Sequence, residues 1–502
     1  MKRKVLLVFP DTGETYNLNV PLALIWVAAP LHEAGYEVII FDHRLEPDYK
    51  RFIARHAEEL VCVGVTSFSG PQLHGAMEIS KWVKAAYPAL PVVWGGWHVS
   101  ILTEQSMREP FIDYIIHGQG EIPFLELVTH LRDGEDPKGI DNLAYRDASG
   151  QPVINPKRPL VDINTLPRKP YHLVDIEKYA GRKLSKDERY LVWMSSVGCP
   201  FNCGFCADPL VYKRRWLALT PQRMADEIEE IVNAFGITQF GFWDDNFFID
   251  FNRAEAFIDE INRRGIKIKW TGTIRISAIR RMPMELLRKC REAGLHMVHP
   301  GVEGATQEML DFMNKKEKAE DTIPAARKLA EVGVKSLYSF IIGLPDEPAS
   351  NMQDTFDMIE ELKRINPDNI MPVNFYTPYP GNHLYDMSIE RGFVPPKNMQ
   401  EWADFNTRVG ITPWLTEHYR DEAWKRDKYY YPAAYPSKVM RDKMDKGGMR
   451  FVYRAFHAIA RWRVSRRNFR FDWDWKLLYS YWRFWGKYNK KLKFLPNINF
   501  RW

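Results

Sequence analysis

The chain has 502 residues, of which 45% are hydrophobic and 27% are charged, and its formal net charge is +6. This length and composition predict a globular protein of two or three domains. The apolar run near Met1 is too short for a signal peptide, and the run 21–30 is about half the length of a membrane-spanning helix. Five cysteines do not make a disulfide framework, so we expect a reducing, cytoplasmic location.

Residues 1–150 are predicted to form the first domain. Its strand candidates are 5–9, 37–41, 60–68 and 91–94, and helices are predicted over 21–34, 48–59 and 71–87. Apolar strands that alternate with helices predict a Rossmann-like, doubly wound parallel sheet, whose ligands bind in the loops after the strands. Small and hydroxyl residues in those loops allow a large ligand to approach the backbone. The candidate binding residues are Thr66, Ser67, Ser69, Gly95, Gly96, His98, Gly118, Gly120 and Glu121.

A proline-containing connector is predicted over 151–184, followed by a second domain over 185–390. The second domain contains six predicted strand–helix repeats, with strands over 191–197, 238–244, 267–275, 295–302, 335–344 and 369–376. Six such repeats predict a partial (β/α)6 TIM-like barrel, with its functional groups at the carboxyl ends of the strands. The fold class expected for the whole chain is therefore α/β.

Three of the five cysteines follow the first of these barrel strands. Cys199, Cys203 and Cys206 have the spacing C-x3-C-x2-C. Thiolates that converge on one point suit a soft metal or an iron–sulfur cluster, whereas a structural zinc site needs four ligands. Three thiolates leave one coordination position for a ligand that is not protein. The alternatives are a zinc knuckle or three unrelated loop cysteines.

This motif, with an aromatic residue before its last cysteine, resembles the signature of radical S-adenosylmethionine enzymes. The resemblance implies that the three thiolates bind three irons of a 4Fe–4S cluster and that the fourth iron chelates S-adenosylmethionine. Reductive cleavage of S-adenosylmethionine then gives a 5′-deoxyadenosyl radical, and the electron donor is expected to be a protein such as flavodoxin or ferredoxin. The implied S-adenosylmethionine contacts are Phe205, Asp244, Asp245, Arg275, Glu303, Ile342 and Gly343.

The resemblance gives each strand end a different partner on S-adenosylmethionine. Asp244-Asp245 would face its ammonium group, and Arg275 would pair with its carboxylate, because a guanidinium suits bidentate contacts. Glu303 would contact the ribose or the ammonium group, and the backbone of Ile342-Gly343 would meet the adenine. The structural alternatives are a solvated turn at Asp244-Asp245, a salt bridge at Arg275 and a buried capping carboxylate at Glu303.

The first domain resembles the cobalamin-binding domain that precedes the radical domain in one large subgroup of these enzymes. The resemblance implies cobalamin contacts at the nine loop residues named above. The motif D-x-H-x-x-G, whose His ligates cobalt in methionine-synthase-type proteins, is absent, because Asp42-His43 has the wrong spacing. The resemblance to this subgroup implies that cobalamin binds base-off without a protein His, with His98 as the weaker candidate ligand. A generic Rossmann-like domain without cobalamin is the alternative.

Residues 391–502 are predicted to be mostly helical, basic and aromatic. An amphipathic helix is predicted over 450–467, with Phe451, Phe456, Ile459 and Trp462 on one side, and Lys487, Lys490, Lys491 and Lys493 follow it. Basic residues interleaved with aromatic ones suit a substrate lid, a membrane interface or nucleic acid. We predict a lid or a membrane-surface contact and no nucleic-acid partner, because no RNA-binding module is found elsewhere.

The carboxyl-terminal region and the stretch Tyr-Pro-Ala-Ala-Tyr-Pro near 431 resemble the anaerobic magnesium-protoporphyrin monomethyl ester cyclase and radical methyltransferase group. The resemblance implies methylation of an unactivated carbon on a bulky, largely apolar small molecule, such as a tetrapyrrole or a lipid, with methylcobalamin as the methyl donor. The first alternative is oxidative cyclisation or hydroxylation of a tetrapyrrole. The second is a non-catalytic cobalamin or redox sensor. At most peripheral contact with a membrane is expected.

Overall fold

The computed structural model describes residues 3–13, 18–180, 188–405, 412–446 and 448–488, with side chains as far as Phe484. Of the lysines named above, Lys490, Lys491 and Lys493 lie outside these ranges, and so does the Lys487 side chain. The strands are β1 (Lys4–Phe9), β2 (Glu37–Asp42), β3 (Leu60–Thr66), β4 (Val92–Gly95), β5 (Tyr114–Ile116), β6 (Leu143–Arg146), β7 (Pro152–Ile154), β8 (Tyr190–Trp193), β9 (Ser196–Val197), β10 (Leu217–Ala218), β11 (Gln239–Phe242), β12 (Lys269–Ile274), β13 (Leu295–Glu303), β14 (Lys335–Ser336), β15 (Ser339–Ile342) and β16 (Val373–Phe375).

The α-helices connect these strands and then continue alone to the end of the described chain. They are α1 (Leu22–Glu33), α2 (Tyr49–His56), α3 (Gln72–Ala86), α4 (Trp97–Ile101), α5 (Thr103–Met107), α6 (Glu121–Asp133), α7 (Ile176–Ala180), α8 (Asp208–Tyr212), α9 (Pro221–Phe235), α10 (Phe251–Arg263), α11 (Ile276–Arg281), α12 (Met284–Glu292), α13 (Gln307–Phe312), α14 (Thr322–Glu331), α15 (Asn351–Ile365), α16 (His383–Glu390), α17 (Met399–Asp404), α18 (Glu417–Lys425), α19 (Tyr431–Ala434), α20 (Lys438–Lys446), α21 (Arg450–Arg466) and α22 (Trp473–Tyr488). None of the described helices is long and apolar enough to cross a membrane.

The first sheet has the strand order β2-β1-β3-β4-β5-β6-β7. Its first five strands are parallel, which confirms the predicted doubly wound sheet. The apolar residues of β1, β3 and β4 pack against α1 and α6, so that Leu7, Cys62 and Phe124 belong to one buried core. β6 and β7 extend the sheet as an antiparallel pair that the sequence analysis did not predict. The carboxyl ends of β3 and β4, at Thr66 and Gly95, bring the predicted binding loops to one edge.

The chain divides into two compact units, one comprising residues 1–273, 292–295 and 378–407 and the other 274–291, 296–377 and 408–502. In the first unit, β11 lies between β8 and β12 and is parallel to both. In the second unit, β13 is parallel to β14 and β15, and β15 is parallel to β16. These strand–helix repeats are those of a partial (β/α)6 TIM-like barrel, as predicted. The domain boundaries given above stay a prediction.

Helix α9 shows how local sequence produces one of these repeats. The Thr220 hydroxyl accepts a hydrogen bond from the Arg223 backbone N–H, and Pro221 occupies the first helical position, where its missing N–H costs nothing. Gly236 ends the helix in the left-handed conformation and returns the chain to β11. The apolar side of the helix, including Ile228, is buried.

The helix predicted over 450–467 is confirmed as α21, but its aromatic side is not its buried side. Phe451 and Trp462 are exposed, and Phe456 and Ile459 are only partly buried. The buried residues of α21 are Tyr453, Ala460, Arg463 and Val464. The reason is an ion pair, because Arg463 Nη2 lies 2.7 Å from the buried carboxylate of Asp474 on α22.

Candidate functional site

The three cysteines lie on a loop between β9 and α8. β9 pairs antiparallel with β10, which holds the chain before and after the loop. Gly198 precedes Cys199 with φ +77°, and a Cβ atom there would lie 2.3 Å from the carbonyl oxygen of Arg215, so only glycine fits. The Cys206 backbone N–H donates to the Cys203 carbonyl at 3.1 Å.

The cysteine side chains are partly exposed. Burial of part of each side chain raises the pKa of Cys199 to about 11 and that of Cys206 to about 12, so binding to iron must displace a proton. Phe205 is also partly exposed on this loop. A short loop that presents three accessible thiols fits a cluster in which each thiolate binds its own iron. Among the described residues, no group of three His, Cys, Asp or Glu side chains is arranged around a single metal ion.

Asp244 supports the start of this loop from the end of β11. It is buried, and its Oδ1 accepts hydrogen bonds from the Ser195 backbone N–H at 3.1 Å, the Ser195 hydroxyl at 2.6 Å and the Ser196 hydroxyl at 2.5 Å. Burial raises the pKa of Asp244, and the hydrogen bonds from Ser195 and Ser196 oppose that rise. The observed contacts therefore make Asp244 a positioning residue for the loop. Its contact with S-adenosylmethionine stays a prediction.

Arg253 and Asp245 complete this support. Arg253 Nη2 donates to the Ser195 hydroxyl at 2.7 Å, and its Nε donates to the Leu219 carbonyl at 2.8 Å, which connects α10 to both sides of the β9–β10 pair. Asp245 is exposed, and its Oδ2 accepts from the Gly198 backbone N–H at 2.9 Å. Sequence analysis missed Arg253 and Ser195, because no motif connects residues so far apart in the chain.

The second unit contains a buried group of charged side chains at the predicted S-adenosylmethionine contacts. Arg275 donates to the Lys315 carbonyl, and its Nε lies 3.4 Å from Glu317 Oε1. Lys315 Nζ lies 3.5 Å from Glu303 Oε1, and the Ser339 hydroxyl donates to the Glu303 carboxylate at 3.2 Å. Sequence analysis missed Lys315 and Glu317.

Glu303 has an unusual backbone, with φ +65° at the end of β13. A non-glycine residue in the left-handed region is strained, and such strain concentrates at ligand sites. Gly301 lies against this carboxylate, because a Cβ atom there would lie 2.2 Å from Glu303 Oε1 and the Glu303 side chain would have to move. The structure thus brings Arg275 and Glu303 into one buried group. Their contacts with S-adenosylmethionine stay predictions.

The backbone of Ile342-Gly343 already has partners within the second unit. The Gly343 N–H donates to Glu347 Oε2 at 2.5 Å, and its carbonyl accepts from the Trp414 indole at 3.0 Å. Burial raises the pKa of Glu347, and the Tyr419 hydroxyl donates to its other carboxylate oxygen. These contacts fix the loop after β15, and the predicted contact with adenine stays a prediction.

A cavity in the first unit lies at the carboxyl ends of β3 and β4. Six of the nine predicted cobalamin contacts line it: Thr66, Gly95, Gly96, Gly118, Gly120 and Glu121. Trp97, Gln119, Met194 and Tyr212 also line it and were missed, because their side chains are typical of any core. Ser67, Ser69 and His98 are not among its described lining residues.

Two features of this cavity suit a large ligand with polar edges. Gly96 has φ +98°, and a Cβ atom there would lie 2.6 Å from the Ser67 carbonyl oxygen, so only glycine lets this turn of the cavity wall pack against the loop after β3. Glu121 Oε2 is buried without a hydrogen-bond partner among the described residues, and burial raises the pKa of the carboxyl group. Such an orphaned polar atom needs a partner, which amide groups on a bound corrin would provide.

His98 is buried and is not among the described residues that line the cavity. Its Nδ1 lies 2.8 Å from the Ser69 hydroxyl, and its ring contacts Trp402 with centroids 6.1 Å apart. Burial lowers the pKa of His98 to about 4, so the ring is neutral near pH 7. The structure therefore does not support His98 as a cobalt ligand.

Comparison with known proteins agrees with this arrangement. Residues 11–128 match the B12 binding domain and residues 193–359 match the radical SAM superfamily. An uncharacterized methyltransferase of Pyrococcus horikoshii is 29% identical over 425 residues, which cover 82% of this chain and 89% of that protein. The anaerobic magnesium-protoporphyrin IX monomethyl ester cyclase of Rubrivivax gelatinosus is 28% identical over 393 residues, which cover 76% and 69%. The structure of the methyltransferase TsrM from Kitasatospora setae has the same fold, with a TM-score of 0.68 at 20% identity over 84% of this chain and 89% of that one.

The chain is therefore a radical S-adenosylmethionine enzyme with a cobalamin-binding domain before its radical domain. Its cofactors are a 4Fe–4S cluster, S-adenosylmethionine and cobalamin, and it acts on a small molecule with electrons from a reductant. The residues present fit two of these groups. The loop presents Cys199, Cys203 and Cys206 for the cluster, and the cavity offers glycine backbone and the unpartnered Glu121 oxygen for cobalamin.

Proposed function

We propose that this enzyme methylates an unactivated carbon of a small molecule. The observation that carries the proposal is the composition of the cavity wall. The cavity is lined by glycines of the first sheet and by three residues that flank the cysteine loop, Val197, Val211 and Tyr212. One cavity is thus shared by the candidate cobalamin site and the elements that hold the cluster loop. When bound, the cluster supplies the electron that cleaves S-adenosylmethionine, and cobalamin supplies the methyl group.

The residues of the chain position these groups and exclude water. Asp244 and Asp245 fix the start of the cysteine loop, while Gly96 lets the turn after β4 pack against Ser67 in the cavity wall. The buried carboxyl of Glu121 donates or accepts a hydrogen bond at the corrin edge, according to its protonation. Tyr212 closes one wall of the cavity with an apolar ring, which keeps water from the reacting centre.

Oxidative cyclisation of a tetrapyrrole is the less favoured candidate. The relative from Rubrivivax gelatinosus supports it, but the matched region covers only 69% of that cyclase. The match covers 89% of the relative from Pyrococcus horikoshii, which is an uncharacterized methyltransferase. The match therefore extends over nearly the whole of the methyltransferase and leaves about a third of the cyclase without a counterpart.

We further propose a bulky, largely apolar substrate with an anionic group, such as a tetrapyrrole carboxylate or a lipid. The exposed aromatic and basic side chains of α21 and α22 support this substrate class, because they complement both parts of such a molecule. The proposed reductant is a flavodoxin or a ferredoxin, and the proposed location is the cytoplasm, where thiolate clusters persist.

Methyl-labelled S-adenosylmethionine tests the function without knowledge of the substrate. Anaerobically reconstituted enzyme with reduced cobalamin should take up the labelled methyl group on bound cobalamin, and mass spectrometry of the extracted cofactor detects it. The same preparation should release 5′-deoxyadenosine when a reductant is added. Release of 5′-deoxyadenosine without any labelled methylcobalamin would instead favour the cyclase chemistry. Failure of both reactions would overturn the proposal.

A further inference from the structure

Helix α22 exposes three large apolar residues on one side. Trp473, Leu477 and Phe484 are 60%, 60% and 47% exposed. These residues stand at positions i, i+4 and i+11, which lie on the same side of an α-helix. Helix α22 therefore has large apolar side chains on its exposed side as well as on its buried side.

Other large apolar side chains are exposed on α21 and between α21 and α22. Phe451 and Trp462, which are eleven positions apart on α21, are 69% and 52% exposed, and Phe471 between the helices is 72% exposed. We define the C-terminal aromatic surface as these six residues: Phe451, Trp462, Phe471, Trp473, Leu477 and Phe484. Large apolar groups exposed together mark interaction sites more often than scattered single residues do.

This exposure does not arise from a missing core. The opposite side of α22 is buried through Trp475 and Leu478. Asp474 is also buried there and accepts from Arg463 Nε at 3.2 Å and from the Tyr429 hydroxyl at 3.2 Å. Both helices are thus held by the buried residues of their inner sides.

The charges around the surface have one sign. Residues 450–484 contain nine Arg and Lys against two Asp. Both aspartates are buried, since Asp474 pairs with Arg463 and Asp472 lies 3.1 Å from Lys476 Nζ. The exposed basic residues of this segment are Arg450, Arg454, Arg461, Arg466, Arg467, Arg470, Lys476 and Arg483.

The basic side chains also stack on the exposed rings. The guanidinium of Arg450 lies 4.9 Å from the centroid of Phe451, and that of Arg470 lies 6.0 Å from the centroid of Phe471. At the surface of a lipid bilayer, a flexible basic side chain above an aromatic ring can keep its charge among the lipid headgroups while the ring enters the apolar layer.

We propose that the C-terminal aromatic surface binds the face of an anionic lipid bilayer. Helices that lie in a membrane interface combine Trp, Phe and Leu on one side with Lys and Arg beside them, and anionic lipids attract the basic groups. A second copy of the chain would bring two cationic surfaces together, so self-association is disfavoured. Nucleic acid would use the aromatic rings for stacking but leaves the exposed Leu477 without a partner. Lipid binding does not rest on the methyl-transfer proposal, because it needs no turnover.

Flotation with vesicles tests this proposal on the anaerobically purified holoenzyme. The enzyme should float with phosphatidylcholine vesicles that contain about 30% phosphatidylserine and not with phosphatidylcholine alone, and about 0.5 M salt should release it. The variant Trp473→Ser/Leu477→Ser/Phe484→Ser should bind at least about tenfold more weakly, because it removes the three exposed apolar side chains of α22. Arg461→Gln/Lys476→Gln/Arg483→Gln should weaken binding to anionic vesicles to a similar degree.

The matched control removes three exposed apolar residues from the first unit, Ile154, Ile389 and Val394, each replaced by Ser. Its binding should equal that of the unaltered enzyme, and all variants should retain the absorbance of the bound cluster and cobalamin. Equal vesicle binding by the α22 triple variant would overturn the proposal. Light scattering that shows a dimer lost in that variant, or binding to a single-stranded oligonucleotide without binding to vesicles, would assign the surface to another partner and overturn it as well.

Discussion

Asp244 illustrates how one buried carboxylate can position a whole loop. Replacement by Ala would leave the hydroxyls of Ser195 and Ser196 without their acceptor and would remove the negative charge near Arg253. An unsatisfied buried donor costs about 1–3 kcal/mol, so we expect Asp244→Ala to lower the free energy of unfolding by that order. We also expect less iron per chain after reconstitution, since the start of the cysteine loop loses its support. Iron assay and denaturant unfolding measure the two effects.

Asp244→Asn supplies the comparison, because an amide oxygen can still accept from both serines. It should retain most of the iron. Asp136→Ala removes an exposed carboxylate from the same unit and should change neither measurement. Full iron content and unchanged stability in Asp244→Ala would contradict the positioning role.

His98 makes the stability of the first unit depend on pH. Burial lowers its pKa to about 4, whereas an unfolded His titrates near a pKa of about 6.5. Between these two values the unfolded chain binds a proton that the folded chain does not, so stability falls as the pH falls. The loss reaches about 3 kcal/mol below pH 4. Denaturant unfolding between about pH 7.5 and 5 should show a flatter slope of unfolding free energy against pH for His98→Gln than for the unaltered enzyme.

His418→Gln is the control, because His418 is exposed, and it should keep the original slope. Equal slopes in all three proteins would refute the argument.

At the scale of an element, the turn from β4 to α4 determines access to the candidate cobalamin cavity. Gly96→Ala would place a Cβ atom 2.6 Å from the Ser67 carbonyl, so the turn must shift within the cavity wall. We expect this variant to lose cobalamin binding, measured by absorbance titration with hydroxocobalamin, while it retains its iron. Gly134→Ala is the matched control, because Gly134 also has a left-handed φ of +73° but no neighbour within 4 Å. That control has only the intrinsic backbone cost of about 1–2 kcal/mol. Equal cobalamin affinity in both variants would contradict the prediction.

The elements also show which parts of the structure follow from the sequence. Helix α9 can be read from the sequence, because its cap at Thr220, its apolar period and Gly236 are all local signals. The β6–β7 pair was missed, because an antiparallel edge depends on a partner strand elsewhere in the chain. The contact of Asp244 with Ser195 joins residues 49 positions apart, so no local pattern reveals it. The outward side of α21 was not predicted for a similar reason, since the ion pair of Arg463 with Asp474 decides which side is buried.

At the scale of the whole molecule, the candidate cluster site and the candidate cobalamin cavity use separate residues, although residues that flank the cysteine loop also line the cavity. The thiols of Cys199, Cys203 and Cys206 bind the cluster in the proposed enzyme, whereas glycine backbone and Glu121 line the candidate cobalamin cavity. S-adenosylmethionine cleavage should therefore need the first set and not the second, and methylation of cobalamin should need the second. Loss of one site should leave the other functional.

The two sets can be separated by reciprocal variants. Replacement of the three loop cysteines by Ala should abolish the cluster and 5′-deoxyadenosine formation while hydroxocobalamin still binds with unchanged affinity. Gly96→Ala should show the reverse, with 5′-deoxyadenosine formed and no labelled methylcobalamin, because the turn in its cavity wall is displaced and its cysteine loop is intact. Cys62→Ala/Cys290→Ala is the matched control for the cysteine variant, since both residues are buried free cysteines outside the C-x3-C-x2-C motif and should leave both activities in place. A cysteine variant that retains a full cluster would exclude the loop as its ligand set. If instead each variant lost both cofactors, the sites would fold as a single cooperative unit, and the separation argued from their distinct residues would be wrong.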